Sequence, residues 1–148
     1  MSDCELFRFL SSLLEINYNT FQHAECDSIY LCGQFYPNSH MLILTYINFG
    51  ITFKQNFLEY LSRTKNIIDK KPIEWAIINE HSTAESAGVG LTQFFDLIKL
   101  YNADVIIYSD NEIYQTNNNK TTDEYTQSRF SGCLMNIKFN LNANNCIK

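Results

Sequence analysis

Apolar residues over 5–23 recur at helical spacing, with Leu6, Phe9, Leu10, Leu13 and Leu14 on one stripe, and Ser2 and Asp3 stand before them as caps. Residues 27–36 (DSIYLCGQFY) are β-branched and aromatic and read as a strand. Pro37-Asn38-Ser39 is a turn signal, and 41–49 (MLILTYINF) form a second strand, joined to the first as a hairpin and apolar enough to be central and buried. Residues 55–63 (QNFLEYLSR) read as a helix and 65–71 as a polar break. Pro72 then opens another helix that continues over 73–79 (IEWAIIN). After a polar loop over 80–87, Gly88-Val89-Gly90 leads into a helix over 91–101 with Phe94, Phe95, Ile98 and Leu100 apolar. Residues 104–109 (DVIIYS) form a strand, with 112–115 as its hairpin partner. The Asn- and Thr-rich stretch 116–128 reads as an exposed, mobile loop, and 133–141 as the closing strand.

The order α-β-β-α-α-α-β-β-β predicts an α/β (α+β) two-layer sandwich, with helices on one face of a mixed, mainly antiparallel sheet. At 148 residues and 45% hydrophobic, the chain suits a single domain over 1–148 with one core. The net charge of -5 and the lack of any Lys/Arg cluster argue against a nucleic-acid partner. They leave open a nucleotide held by backbone N–H groups and a metal ion. Cys4, Cys26, Cys32, Cys133 and Cys146 form neither a CxxC pair nor a zinc-spaced group, which fits reduced thiols in a cytoplasmic protein. No apolar run is long enough to span a bilayer, and the first residues lack the basic and apolar blocks of a signal peptide, so a membrane partner is not expected.

Four places carry candidate chemistry. Glu15, Asn19 and His23 fall at i, i+4 and i+8 of the first helix, along one stripe. A solvated polar face would give the same spacing. Asn48-Phe49-Gly50 ends the buried strand, where ligand-binding groups often sit, although it also reads as an ordinary strand exit. Ser82-Thr83 precedes Gly88-Val89-Gly90-Leu91, a glycine-bearing helix start whose free N–H groups suit an anion. Gly132-Cys133 opens the last strand.

In this order the four places resemble the N box, G1 box, G2 box and closing strand of the GHKL (Bergerat-fold) ATP-binding domains, over about residues 11–140. The nearest likeness is to small stand-alone bacterial histidine-kinase-like ATP-binding proteins, through Ile73-Glu74-Trp75-Ala76, Ser82-Thr83, Gly88-Val89-Gly90-Leu91, Tyr108-Ser109 and Gly132-Cys133. The resemblance implies ATP and Mg²⁺ as cofactors, with Asn19 giving an oxygen to the metal. It makes Glu15 a general base and leaves His23 structural. It places Asn48, Gly50, Thr52, Ser82, Thr83, Gly88, Val89, Gly90, Leu91 and Cys133 around the nucleotide. The family's G1 box reads D-x-G-x-G, so Asn48 replaces the aspartate that accepts from adenine, and Thr52 replaces a glycine. Cys133 replaces the threonine of the closing pair. The phosphate half of the site is thus better kept than the base half. The lid would span 54–87, with Lys54, Lys65, Lys70 and Lys71 as phosphate candidates. The implied activity is ATP hydrolysis or protein phosphorylation with a protein partner. The alternative is a pseudo-enzyme that serves as an interaction module.

Overall fold

A computed structural model describes residues 11–14, 17–18, 24–78, 89–117 and 120–141. Within these, strand β1 (Ile29–Tyr36) runs through a 3-10 turn (Pro37–Ser39) into strand β2 (Met41–Asn48). Pro37 pre-sets the first turn position, and His40 takes a left-handed conformation (φ 50) to close it, its N–H donating to the Pro37 carbonyl. Helices α1 (Phe53–Thr64), α2 (Pro72–Ile78) and α3 (Val89–Leu100) follow, then the long strands β3 (Asp104–Asn117) and β4 (Lys120–Asn140).

The strand order is β1-β2-β4-β3, and every pairing is antiparallel. The expected two-layer α+β arrangement is present, with an antiparallel sheet in place of a mixed one. Two expectations fail. Residues 112–115 do not form a separate hairpin partner of 104–109, because both belong to β3. Of the stretch 116–128, residues 116–117 and 120–128 are strand and not loop: β3 runs to Asn117, β4 begins at Lys120, and these two residues face each other. Asn disfavours a strand, but Thr suits one, and the ladder to β3 holds the backbone.

β4 departs from simple alternation at two irregularities. From Leu134 to Phe130 it advances four residues while β3 advances two, from Tyr108 to Asp110. From Phe130 to Tyr125 it advances five while β3 again advances two, from Asp110 to Glu112. The extra residues bend and twist the pair. Beyond the bulges, β3 and β4 continue as a two-stranded ribbon that β2 does not accompany.

One face of the sheet is buried in period two: Leu44, Tyr46 and Asn48 on β2, Val105, Ile107 and Ser109 on β3, and Cys133, Met135, Ile137 and Phe139 on β4. Against it pack Ile73 and Ile77 of α2 and Phe94, Phe95, Leu97 and Ile98 of α3, while Leu13 of the N-terminal helical residues adds partial cover. α1 and α2 interlock through Trp75, whose ring lies 5.2 Å from Phe57 and 5.1 Å from Tyr60. α3 ends on Asn102 in the left-handed region (φ 46). The Ala103 N–H returns to the Ile98 carbonyl and the Asn102 N–H to the Lys99 carbonyl, a Schellman stop. The opposite face bears Tyr30, Ile43, Ile47, Ile106 and Tyr108, and no described helix covers it.

Candidate functional site

The end of β2 is tightly constrained. Asn48 is 3% exposed, and its carboxamide oxygen accepts the Cys133 N–H at 3.2 Å. Residues 85 apart in sequence are therefore locked together. Gly132, next to Cys133, has φ 127, and a Cβ there would lie 2.1 Å from the Asn48 carbonyl oxygen. Only glycine meets both conditions. Two residues past Asn48 the chain passes equally close to 24–26: a Cβ on Gly50 would lie 2.1 Å from the Ala24 carbonyl oxygen, and the Ile51 N–H donates to that oxygen at 2.7 Å.

Thr52 then starts α1. Its hydroxyl accepts the Gln55 N–H at 3.3 Å, and the Gln55 side-chain oxygen accepts the Thr52 N–H at 2.8 Å, a complete capping box. Thr52 has φ -82, an ordinary extended value, so a β-branched residue fits where the D-x-G-x-G pattern has glycine. Ser109, fully buried on β3, ties the same corner. Its hydroxyl donates to the Gly132 carbonyl at 2.6 Å and accepts the Phe53 N–H at 3.2 Å. Asn48, Gly50, Thr52 and Cys133 are thus gathered at one end of the sheet, beside the start of α1.

The chemistry of this corner is restrained. Burial pushes the Cys133 thiol up to about 12, so it stays protonated and is neither a nucleophile nor a metal-binding thiolate near neutral pH. Asn48 has given one oxygen lone pair to Cys133, and a carboxamide oxygen has two. A narrow apolar cleft on the helix-covered face, lined by Leu13, Asn17, Leu31, Leu44, Tyr46, Met135 and Ile137, has room for roughly one water.

Of the other expected site residues, Val89, Gly90 and Leu91 form the first turn of α3, in keeping with a glycine-bearing helix start. Glu15, Asn19, His23, Ser82, Thr83 and Gly88 lie outside the described residues. Among the lid lysines, Lys54 pairs with Asp110 at 2.9 Å and donates to Asn111 at 3.3 Å. Lys70 pairs with Glu74 at 3.3 Å and Lys71 with Asp123 at 3.5 Å, so these three point at carboxylates. Lys65 is the left-handed C-cap of α1.

A second polar cluster went unforeseen. Glu112, 1% exposed, accepts the Ile73 N–H at 2.9 Å in the first turn of α2. Burial lifts its carboxyl from 4.5 to about 7, and the Asp123 charge adds to this, against the Ile73 N–H and Lys71. Asp123 is likewise raised by burial, and the Lys71 charge opposes it. Lys71 also donates to the Asp123 carbonyl and lies 4.7 Å from the centre of the Tyr125 ring. The ladder pairs Glu112 with Tyr125 and Tyr114 with Asp123. In the sequence Glu112 is out of phase with Ile107 and Ser109, because the bulge shifts the alternation, so nothing marked it as buried.

Among the described residues no group of three or more His, Cys, Asp or Glu side chains could hold a metal ion. No protein-family model matches the chain, and comparison with curated proteins finds no match.

Proposed function

We propose that this chain is a GHKL-type domain that binds ATP with Mg²⁺ and acts as an ATPase or a kinase-like signalling component toward a protein partner. The observation that carries the reading is the Asn48–Cys133 hydrogen bond. It joins the end of β2 to the start of the closing segment of β4, the two places the family resemblance assigns to the base. The start of α1 adjoins them through Ser109, and the α+β element order agrees. The proposed metal ligand is Asn19, whose oxygen suits a hard cation that keeps most of its waters.

Calorimetry and thermal shift with ATP, ADP and GTP, each with and without magnesium, test the proposal. An ATP-dependent rise in melting temperature that needs magnesium is expected, and Asn19→Ala should remove the magnesium-dependent part. No response to millimolar nucleotide would overturn it.

One observation favours a second reading, a pseudo-enzyme used as an interaction module. The three replaced base-side residues all serve the fold: Asn48 holds Cys133, Thr52 caps α1, and the Cys133 thiol is buried and neutral. Asn48→Asp separates the two readings. On the first it restores a charged acceptor and raises ATP affinity. On the second it costs stability without gaining binding.

A further inference from the structure

The two edges of the sheet are built differently. β3, at one edge, carries Asp104, Asp110 and Glu112, and its pairing is broken by two bulges, with Asp110 in the left-handed region. Charges and bulges of this kind keep an edge from pairing with another strand. β1, at the other edge, has none of these. Its eight residues, IYLCGQFY, include no charge and no proline, and its register to β2 runs unbroken from Ile29↔Asn48 to Tyr36↔Met41. All but the first residue are exposed, and Tyr30 (59%), Leu31 (53%), Phe35 (50%) and Tyr36 (41%) are large and apolar.

The order of these residues is close to palindromic about Gly33. Outward from it stand Cys32 and Gln34, then Leu31 and Phe35, then Tyr30 and Tyr36. A strand that reads alike in both directions is complementary to its own antiparallel copy. In such a pair, residues directly opposite point to the same face, so the two opposed residue numbers must share parity. Centring on Gly33 meets this rule and sets Tyr30 against Tyr36 on the open face and Leu31 against Phe35 on the helix face. Centring on Cys32 also meets it, but sets Leu31 against Gly33 and leaves the aromatic residues unmatched.

We propose that the β1 edge is a self-association surface. A second copy of this chain pairs antiparallel along it, about a two-fold axis at Gly33, and the two sheets become one of eight strands. The partner is another copy because the strand matches itself, and because the strand carries no charge that would oppose its own copy across the ladder.

Sedimentation equilibrium of the full chain between micromolar and sub-millimolar concentration is the test, with circular dichroism to verify that each variant is folded. The wild type should form a dimer and no larger species. Cys32→Lys and Gln34→Lys, both at exposed positions, should each weaken the dimer at least about tenfold by placing charge on the ladder. The double variant Cys32→Lys/Gln34→Asp should recover most of the loss, since the introduced lysine then faces the partner's introduced carboxylate. Ile106→Ser, on the open face of β3 at the far edge of the sheet, should leave association unchanged. A wild type that stays monomeric at the highest concentration would overturn the proposal. So would a dimer indifferent to either lysine, one that Ile106→Ser disrupts as strongly, or a double variant that recovers nothing.

Discussion

Replacing Glu112 by Gln should make stability less dependent on pH, and the size of the effect follows from its site. Glu112 is buried against α2, and burial raises its carboxyl from 4.5 to about 7. At about 1.4 kcal/mol for each tenfold step in proton affinity, that amounts to about 3 kcal/mol at most, because Asp123 shares the titration. Between those two pH values the folded chain holds a proton that the unfolded chain has released. The contribution is therefore fully present below about pH 4.5 and is lost as pH rises through about 7. Glutamine keeps an oxygen for the Ile73 N–H and never ionises. Glu112→Gln should match the wild type near pH 4.5 and exceed it near pH 8 by up to about 3 kcal/mol. Urea unfolding at a series of pH values, followed by the fluorescence of Trp75, the only tryptophan, measures both curves. A stability difference that stays constant from pH 4.5 to 8 would refute the assignment of this titration to Glu112.

Other perturbations test the corner at the end of β2. Gly132→Ala places a Cβ against the Asn48 carbonyl at φ 127 and should cost at least about 2 kcal/mol; an unchanged melting temperature would contradict the described backbone. Asn48→Ala leaves the buried Cys133 N–H without its acceptor and should cost about 1–3 kcal/mol in denaturant titration, with Asn48→Asp recovering part of it. Thr52→Ala removes half of a capping box and should cost about 1 kcal/mol, whereas Thr52→Ser should cost little. In the native protein at pH 8, iodoacetamide should modify the exposed Cys32 long before the buried Cys133, as peptide mass spectrometry would read; equal rates would contradict the burial of Cys133.

Much of the fold is legible in the sequence because its signals are local. The hairpin of β1 and β2 announces itself through two β-rich runs around Pro37-Asn38-Ser39, and α1, α2 and α3 fall within a few residues of their apolar periods. The distal ends of β3 and β4 do not, since the Asn-rich polar run reads as loop, whereas the pairs Gln115↔Thr122, Thr116↔Thr121 and Asn117↔Lys120 hold it as strand. The site divides in the same way. Asn48 and Gly50 stand out at a strand exit; Gly132-Cys133 reads as a strand start but lies inside β4, and the sheet still brings Asn48 and Cys133 into contact. Ser109 and Glu112 owe their roles to hydrogen bonds with Gly132, Phe53 and Ile73, distant in sequence, which no local pattern encodes.

The place of β4 in the sheet bears on how the protein is made. It comes after both its neighbours in the chain and lies between them, so β2 and β3 have no partner in common until β4 has been synthesised. On the ribosome the β1–β2 hairpin and the helices emerge first, with Leu44 and Tyr46 still lacking their cross-strand neighbours Ile137 and Met135. Assembly therefore waits on a late, long-range step, the kind that loop-closure entropy slows. Until then the edge of β2 that β4 will occupy stays unpaired, a place on which a chaperone can act.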